Sequence, residues 1–228
     1  MTLKEKFGDW LKVMDTRELV RIIKWLKTLE SNQLSPSKKD IFKAFDLCPF
    51  DKCKVVCVAQ DPYPQAEIAN GLAFGNKKEQ EILSPSLEVI KEACVNFEIP
   101  HNSIIFDQTL ESWARQGVLL LNSALTCNIG DVGSHTAKWR QFTSKLIRNI
   151  SHRDNGLVFV LFGSTAQSFE SDIEGNQFII KTCHPAYFAR KNEKMPYEVF
   201  TNINKFLKEQ YNERIEWFHE YGKGENNL

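Results

Sequence analysis

Residues 54–75 read KVVCVAQDPYPQAEIANGLAFG, and this stretch decides the fold. Val55, Val56, Cys57 and Val58 form a short apolar run rich in β-branched residues, the pattern of a buried strand. The run stops at Gln60-Asp61-Pro62-Tyr63-Pro64. Proline removes a ladder donor and fixes φ, so two prolines beside an acid cannot continue a central strand. Asp61 is therefore predicted on a loop at the carboxyl end of a buried strand. In open parallel α/β sheets, ligands bind at that edge.

The layout recurs along the chain. Residues 118–121 are a second apolar run, ending at Asn122-Ser123. Residues 157–162 are a third, ending at Gly163-Ser164. Residues 178–181 are a fourth, ending at Thr182-Cys183-His184-Pro185. Helices are predicted between them. Leu19, Ile22, Ile23, Leu26 and Leu29 make a core-facing stripe over 16–29, capped by Asp15 or Thr16. Ser35-Pro36 is predicted to start a helix with Ile41, Phe42 and Phe45 inward. Ser84-Pro85-Ser86 opens another carrying Leu87, Ile90, Ala93, Cys94 and Phe97, broken by Pro100. Further helices are predicted at 108–116 before Gly117, at 138–150, around Ala166 and Phe169, and at 197–209. Strands alternating with helices predict an α/β protein, a three-layer α/β/α sandwich with a central four-stranded, mainly parallel sheet. Crossovers should be right-handed. No repeat or low-complexity linker divides residues 1–228, so one domain is expected, with 222–228 a frayed tail.

Bulk composition narrows the function classes. The 228 residues can bury a full core without metals or disulfides, and 42% apolar with 25% charged residues is ordinary for a globular domain. Lys+Arg and Asp+Glu are both 29, so any basic surface must be local. No stretch is apolar enough to span a bilayer, and MTLKEKFGDW lacks the apolar core of a secretory signal. The six cysteines lie mostly in apolar stretches, as free thiols of a reducing cytosol do; a cytoplasmic protein is expected. Cys48, Cys53 and Cys57 raise a metal site, but Cys57 sits inside a strand and no Cys-x-x-Cys pair exists.

Asp61, Asn122 and His184 each follow a different strand, so one sheet edge can gather a carboxylate, an amide and an imidazole. Taken singly, each is as readily a turn or cap residue. Together they suit a hydrolase acting on a polar, planar ligand.

At this point the chain resembles family 1 uracil-DNA glycosylases, from about residue 35 to 207. AQDPYP at 59–64 resembles the family's water-activating loop, and GLAF at 71–74 matches the segment after it. SPSL at 84–87 is similar to the loop that pinches the DNA backbone. WARQGVLLLNSALT at 113–126 resembles the uracil-reading strand, SHTAKW at 134–139 the following Ser-His segment, and VFVLFGSTAQ at 158–167 the core strand and helix. HPAYFA at 184–189 occupies the place of the last catalytic loop.

The resemblance implies a monofunctional glycosylase that flips uracil out of DNA and leaves an abasic site. Asp61 and His184 are its implied catalytic residues. Gln60, Tyr63, Phe74 and Asn122 are implied to hold uracil. Pro64, Ser84, Pro85, Ser86, Ser134, His135, Ala186, Tyr187, Phe188 and Arg190 are implied to meet DNA. No cofactor or metal is implied. The implied partners are uracil-containing DNA and a proteinaceous glycosylase inhibitor, with the enzyme a monomer off the membrane. Ala59 and Pro64 stand where the family has glycine and histidine, and Ala186 and Phe188 where it has serine and a leucine wedge. Ala59 is expected to crowd the O2 pocket. Tyr187 or Phe188 is expected to intercalate as the wedge. Two other readings fit the same residues: a glycosylase for another modified pyrimidine, and a non-catalytic DNA-binding relative.

Overall fold

The structure, a computed structural model, describes residues 2–95, 103–153 and 156–220. Phe97, Pro100 and the tail at 222–228 lie outside the described residues. The strands are β1 (Leu34–Ser35), β2 (Val55–Ala59), β3 (Ile104–Ile105), β4 (Val118–Asn122), β5 (Cys127–Asn128), β6 (Val158–Phe162), β7 (Phe178–Thr182) and β8 (His219–Glu220). The helices are α1 (Leu3–Phe7), α2 (Thr16–Leu26), α3 (Lys43–Leu47), α4 (Pro85–Cys94), α5 (Glu111–Arg115), α6 (Thr136–Ser151), α7 (Gly163–Gln167), α8 (Pro185–Lys191) and α9 (Glu198–Tyr211).

The central sheet has four strands in the order β4-β2-β6-β7, and every pair in it is parallel. All residues of β2, β4 and β6 are buried. Successive side chains point to opposite faces, so full burial means both faces are covered. Helices do the covering: α9 packs on β6 and β7, and α3 and α5 on β4, while α2 pairs with α6 and α4 with α8. Edge strand β7 is half-buried and turns Lys181 outward, which discourages pairing with another chain. At the other edge, Ala73 donates its N–H to Leu120 O, so the GLAF segment shields β4.

Local chemistry sets the boundaries. Asp15 caps α2 by accepting from the N–H of Arg17 and of Glu18. The expected helix from Ser35-Pro36 is not there. Ser35 instead pairs with Cys127 in the short antiparallel β1–β5 ladder, the peptide to Pro36 is cis, and the helix begins only at Lys43. Ile41 and Phe45 are nonetheless buried, as the stripe requires. The helix expected at 108–116 is shorter. Leu110 is left-handed at φ 57° and Asp107 takes the N–H groups of Thr109 and Ser112, which delays the helix to Glu111. Gly117, at φ 100°, ends that segment where a Cβ would stand 2.1 Å from Lys52 O, so only glycine fits.

Candidate active site

Parallel register brings the functional ends to one edge. Ala59 pairs with Asn122 and Phe162 with Thr182, so Asp61, Ser123, Gly163 and His184 all leave the sheet on the same side. A cavity of about 870 Å³ opens there, lined among others by Gln60, Asp61, Tyr63, Phe74, Phe162 and His184. Asp61 follows β2 and His184 follows β7, two strand positions apart, roughly 10 Å by ordinary strand spacing.

The Asp61 loop is fastened by its carbonyls. Gln60 O accepts from Ala124 N at 2.9 Å and from Ser123 Oγ at 2.7 Å. Pro62 O accepts from Cys127 Sγ at 3.5 Å, Tyr63 O from Ser35 Oγ at 2.6 Å, and Pro64 O from Gly130 N at 2.9 Å. Pro62 and Pro64 carry no N–H, and the carbonyls of the loop are held instead by donors from other segments. The Asp61 carboxylate accepts from the Gly133 N–H. Burial raises its pKa above the ordinary 3.8, and the Gly133 bond pulls it partly back.

Tyr63 ties two walls together. Its hydroxyl accepts from Ser84 Oγ at 2.6 Å and donates to Phe74 O at 3.0 Å. Phe74 sits at φ 65° and lies edge-on to Phe162, with ring centroids 5.0 Å apart; its centroid is 5.5 Å from that of His184. The floor of the cavity is therefore aromatic, and Tyr63 is immobilised beside it.

His184 is the N-cap of α8. Its Nδ1 accepts from Ala186 N at 3.2 Å, so a neutral ring carries its proton on Nε2. Burial, then the nearby Arg190 cation, lowers its pKa below 6.5. Gly163, at φ 82°, lets the His184 loop close in: a Cβ there would stand 2.9 Å from His184 Cβ.

Of the residues expected from sequence, Gln60, Asp61, Tyr63, Pro64, Phe74, Ser84, Pro85, Ser86, His184, Ala186 and Arg190 line the cavity. Asn122 ends β4 at the same edge but lies behind the lining, 4% exposed, with its Oδ1 buried and unpartnered. Ala59 is also buried and off the cavity wall, so its methyl does not crowd the cavity. Two residues expected at the DNA face point inward. His135 is buried edge-on to Trp25, and its Nδ1 is hydrogen-bonded to Thr126 Oγ1 at 3.0 Å, which accepts from Trp139 Nε1. Phe188 packs in the core at 8% exposure, while Tyr187 beside it is 38% exposed. Ser134 accepts from Asn128 N and donates to Asp131 O, holding its own loop. Sequence reading missed Gly133, Gly163 and helix α8. The signal for α8 was present, since proline after a capping residue marks a first helical position. The rim also carries exposed Ile82 and Val132, neither anticipated.

Residues 45–208 match the uracil DNA glycosylase superfamily. A uracil-DNA glycosylase of Fusobacterium nucleatum is 33% identical over 219 residues, covering 92% of this chain and 95% of that protein. One from Mycoplasmopsis pulmonis is 38% identical over 185 residues, covering 80% and 81%. Among solved structures, the mimivirus uracil-DNA glycosylase shares the fold at TM-score 0.71 and 22% identity, covering 95% of this chain and 93% of that one. A Y322F form of the mimivirus enzyme, at TM-score 0.71 and 24% identity over 95% and 94%, was solved in complex with UGI. The superfamily match runs across all four strands of the central sheet and includes Asp61, Asn122 and His184. This chain belongs to the uracil DNA glycosylase superfamily.

Proposed function

We propose that this protein excises uracil from DNA as a monofunctional glycosylase, with Asp61 and His184 acting across the cavity from opposite sides. The base must leave the duplex first, because the glycosidic carbon is shielded in the stack. Phe74 stacks on the extruded ring. Tyr63, pinned between Ser84 and Phe74, stands against C5 and excludes a methyl group. The buried Asn122 Oδ1 suits the N3–H of an imide, and a polar group built for one edge rejects bases that leave it unpaired. The Gln60 backbone N–H is assigned to O2.

Bond cleavage leaves negative charge on uracil and positive charge on the sugar. The Nε2–H of neutral His184 donates to O2 as charge builds there. The Asp61 carboxylate favours the sugar cation and orients the attacking water. No lysine nucleophile is assigned, so strand cleavage is not expected. Tyr187 takes the place of the wedge, with Arg190 nearby for phosphate. The protein is taken to act as a cytoplasmic monomer and to accept a UGI-like inhibitor at its DNA face. None of the described helices is long and apolar enough to cross a membrane.

The observation that carries this reading is a shared cavity holding a half-buried carboxylate and an imidazole with a fixed Nε2 proton. Incubation with oligonucleotides carrying uracil, thymine or hydroxymethyluracil, scored for abasic sites, tests it. Abasic sites at uracil alone are expected. Equal cleavage at hydroxymethyluracil would transfer the assignment to a glycosylase of wider specificity.

A further inference from the structure

The Asp61 carboxylate accepts from a backbone N–H contributed by a separate loop, between β5 and α6. Pro62 and Pro64 carry no donor, and the Tyr63 hydroxyl is committed to Phe74 O. Gln60 Oε1 accepts from Thr165 Oγ1. The donor that Asp61 uses is therefore Gly133 N, and Gly133 has φ 80°.

The platform behind this N–H is rigid. Asp131 N donates to Asn128 O at 3.0 Å, and Thr136 N donates to Gly133 O at 3.0 Å. Ser134 Oγ accepts from Asn128 N and donates to Asp131 O, both at 2.8 Å. Helix α6 follows at Thr136 and is anchored by the fully buried Trp139. The same loop supplies Gly130 N, at φ 81°, to Pro64 O. One loop thus grips the Asp61 segment twice, once by side chain and once by main chain.

We propose that Gly133 is a positioning residue for Asp61: its left-handed backbone aims an N–H at one carboxylate oxygen and fixes the direction of the other. This rests on the assignment of Asp61 given above. Space is not the constraint. A Cβ at 133 would meet Thr136 Oγ1 at 3.6 Å and Gln60 Nε2 at 3.8 Å, which are ordinary contacts. The constraint is φ, which asparagine tolerates and valine does not.

That difference makes the test. Gly133→Val should swing the N–H away, and Gly133→Asn should keep it. The Cys127 thiol from β5 is near enough to feel the charge of Asp61, and His184 lines the same cavity. Burial, then the charges of Asp61 and Asp131, pushes the Cys127 thiol up to about 12, so it stays neutral throughout. Two readouts are needed: the Asp61 titration followed by NMR of carboxyl-labelled protein, and kcat and KM on a single-stranded uracil oligonucleotide. For Gly133→Val the Asp61 titration should move to higher pH and kcat should fall about tenfold or more, with KM nearly unchanged. Gly133→Asn should restore both. If Gly133→Val leaves the Asp61 titration in place, the inference is overturned, even where kcat falls. If the wild-type protein releases no uracil but the titration moves as stated, the positioning contact stands and the functional reading falls.

Discussion

Ala186 donates its backbone N–H to His184 Nδ1 at 3.2 Å, which settles the protonation of the imidazole. A protonated Nδ1 would face that N–H with a second donor. Folding therefore favours a neutral ring with its proton on Nε2, and burial together with Arg190 acts in the same direction. The proposed mechanism requires His184 neutral and Asp61 ionised. The first pKa is lowered from 6.5 and the second raised from 3.8, so the two are driven toward each other. Lowering the pH adds a proton to each group, and both additions inactivate. The profile of kcat/KM should show an acid limb between those ordinary values, with a slope approaching two as the titrations overlap. A slope of one would leave only a single group titrating in the active range.

Gly163 packs its bare Cα against the His184 loop. Gly163→Ala would place a methyl 2.9 Å from His184 Cβ at a φ of 82° that alanine resists. A shift of about 1 Å in a catalytic group can cost roughly 10²-fold in rate. The expected outcome is a loss of that order in kcat with uracil affinity retained, read from single-turnover excision and binding of uracil-containing DNA.

Tyr187 and Phe188 are adjacent, yet they should behave as opposites. Phe188 is core, so Phe188→Ala should destabilise the fold by about 3–5 kcal/mol in a denaturant titration. Tyr187 is exposed on helix α8, so Tyr187→Ala should leave stability unchanged. It should reduce excision from duplex DNA while sparing single strands, because only the duplex has a vacated stack to fill. Equal effects on both substrates would remove Tyr187 as the wedge.

Asn122 offers an unpartnered, buried Oδ1. Asn122→Asp removes the amide donor and places a carboxylate in the same space. Uracil excision should fall about ten- to a hundredfold, and cytosine should gain a partner for its exocyclic amine. Comparison of the variant on uracil and cytosine oligonucleotides checks this.

The sheet was legible because four apolar runs each stopped at a polar residue or a glycine. In β2, β4 and β6 burial on both faces leaves no alternation to misread, and the strands at 55–59, 118–122, 158–162 and 178–182 fall within a residue of their expected limits. The helix expected at Ser35-Pro36 was misread because the same proline signal also serves a cis turn, and only the partner strand at Cys127–Asn128 decides between them. The direction of an aromatic side chain was equally illegible. Tyr187 and Phe188 differ by one position on a short helix, and which of them faces the core depends on how α8 packs, its main helical neighbour being α4. Gly133 was visible only as a turn residue, since a main-chain contact to a carboxylate 72 positions away leaves no mark on composition or spacing.

The central claim is that Asp61 and His184 act on one uracil from opposite sides of one cavity. Free uracil released from a single-uracil oligonucleotide, timed for wild type and for Asp61→Asn, tests it most directly. The account predicts rapid release by wild type and a loss of about 10²-fold or more in the variant, of the size expected for a missing general base or charge partner. Uracil release by Asp61→Asn at the wild-type rate would contradict it.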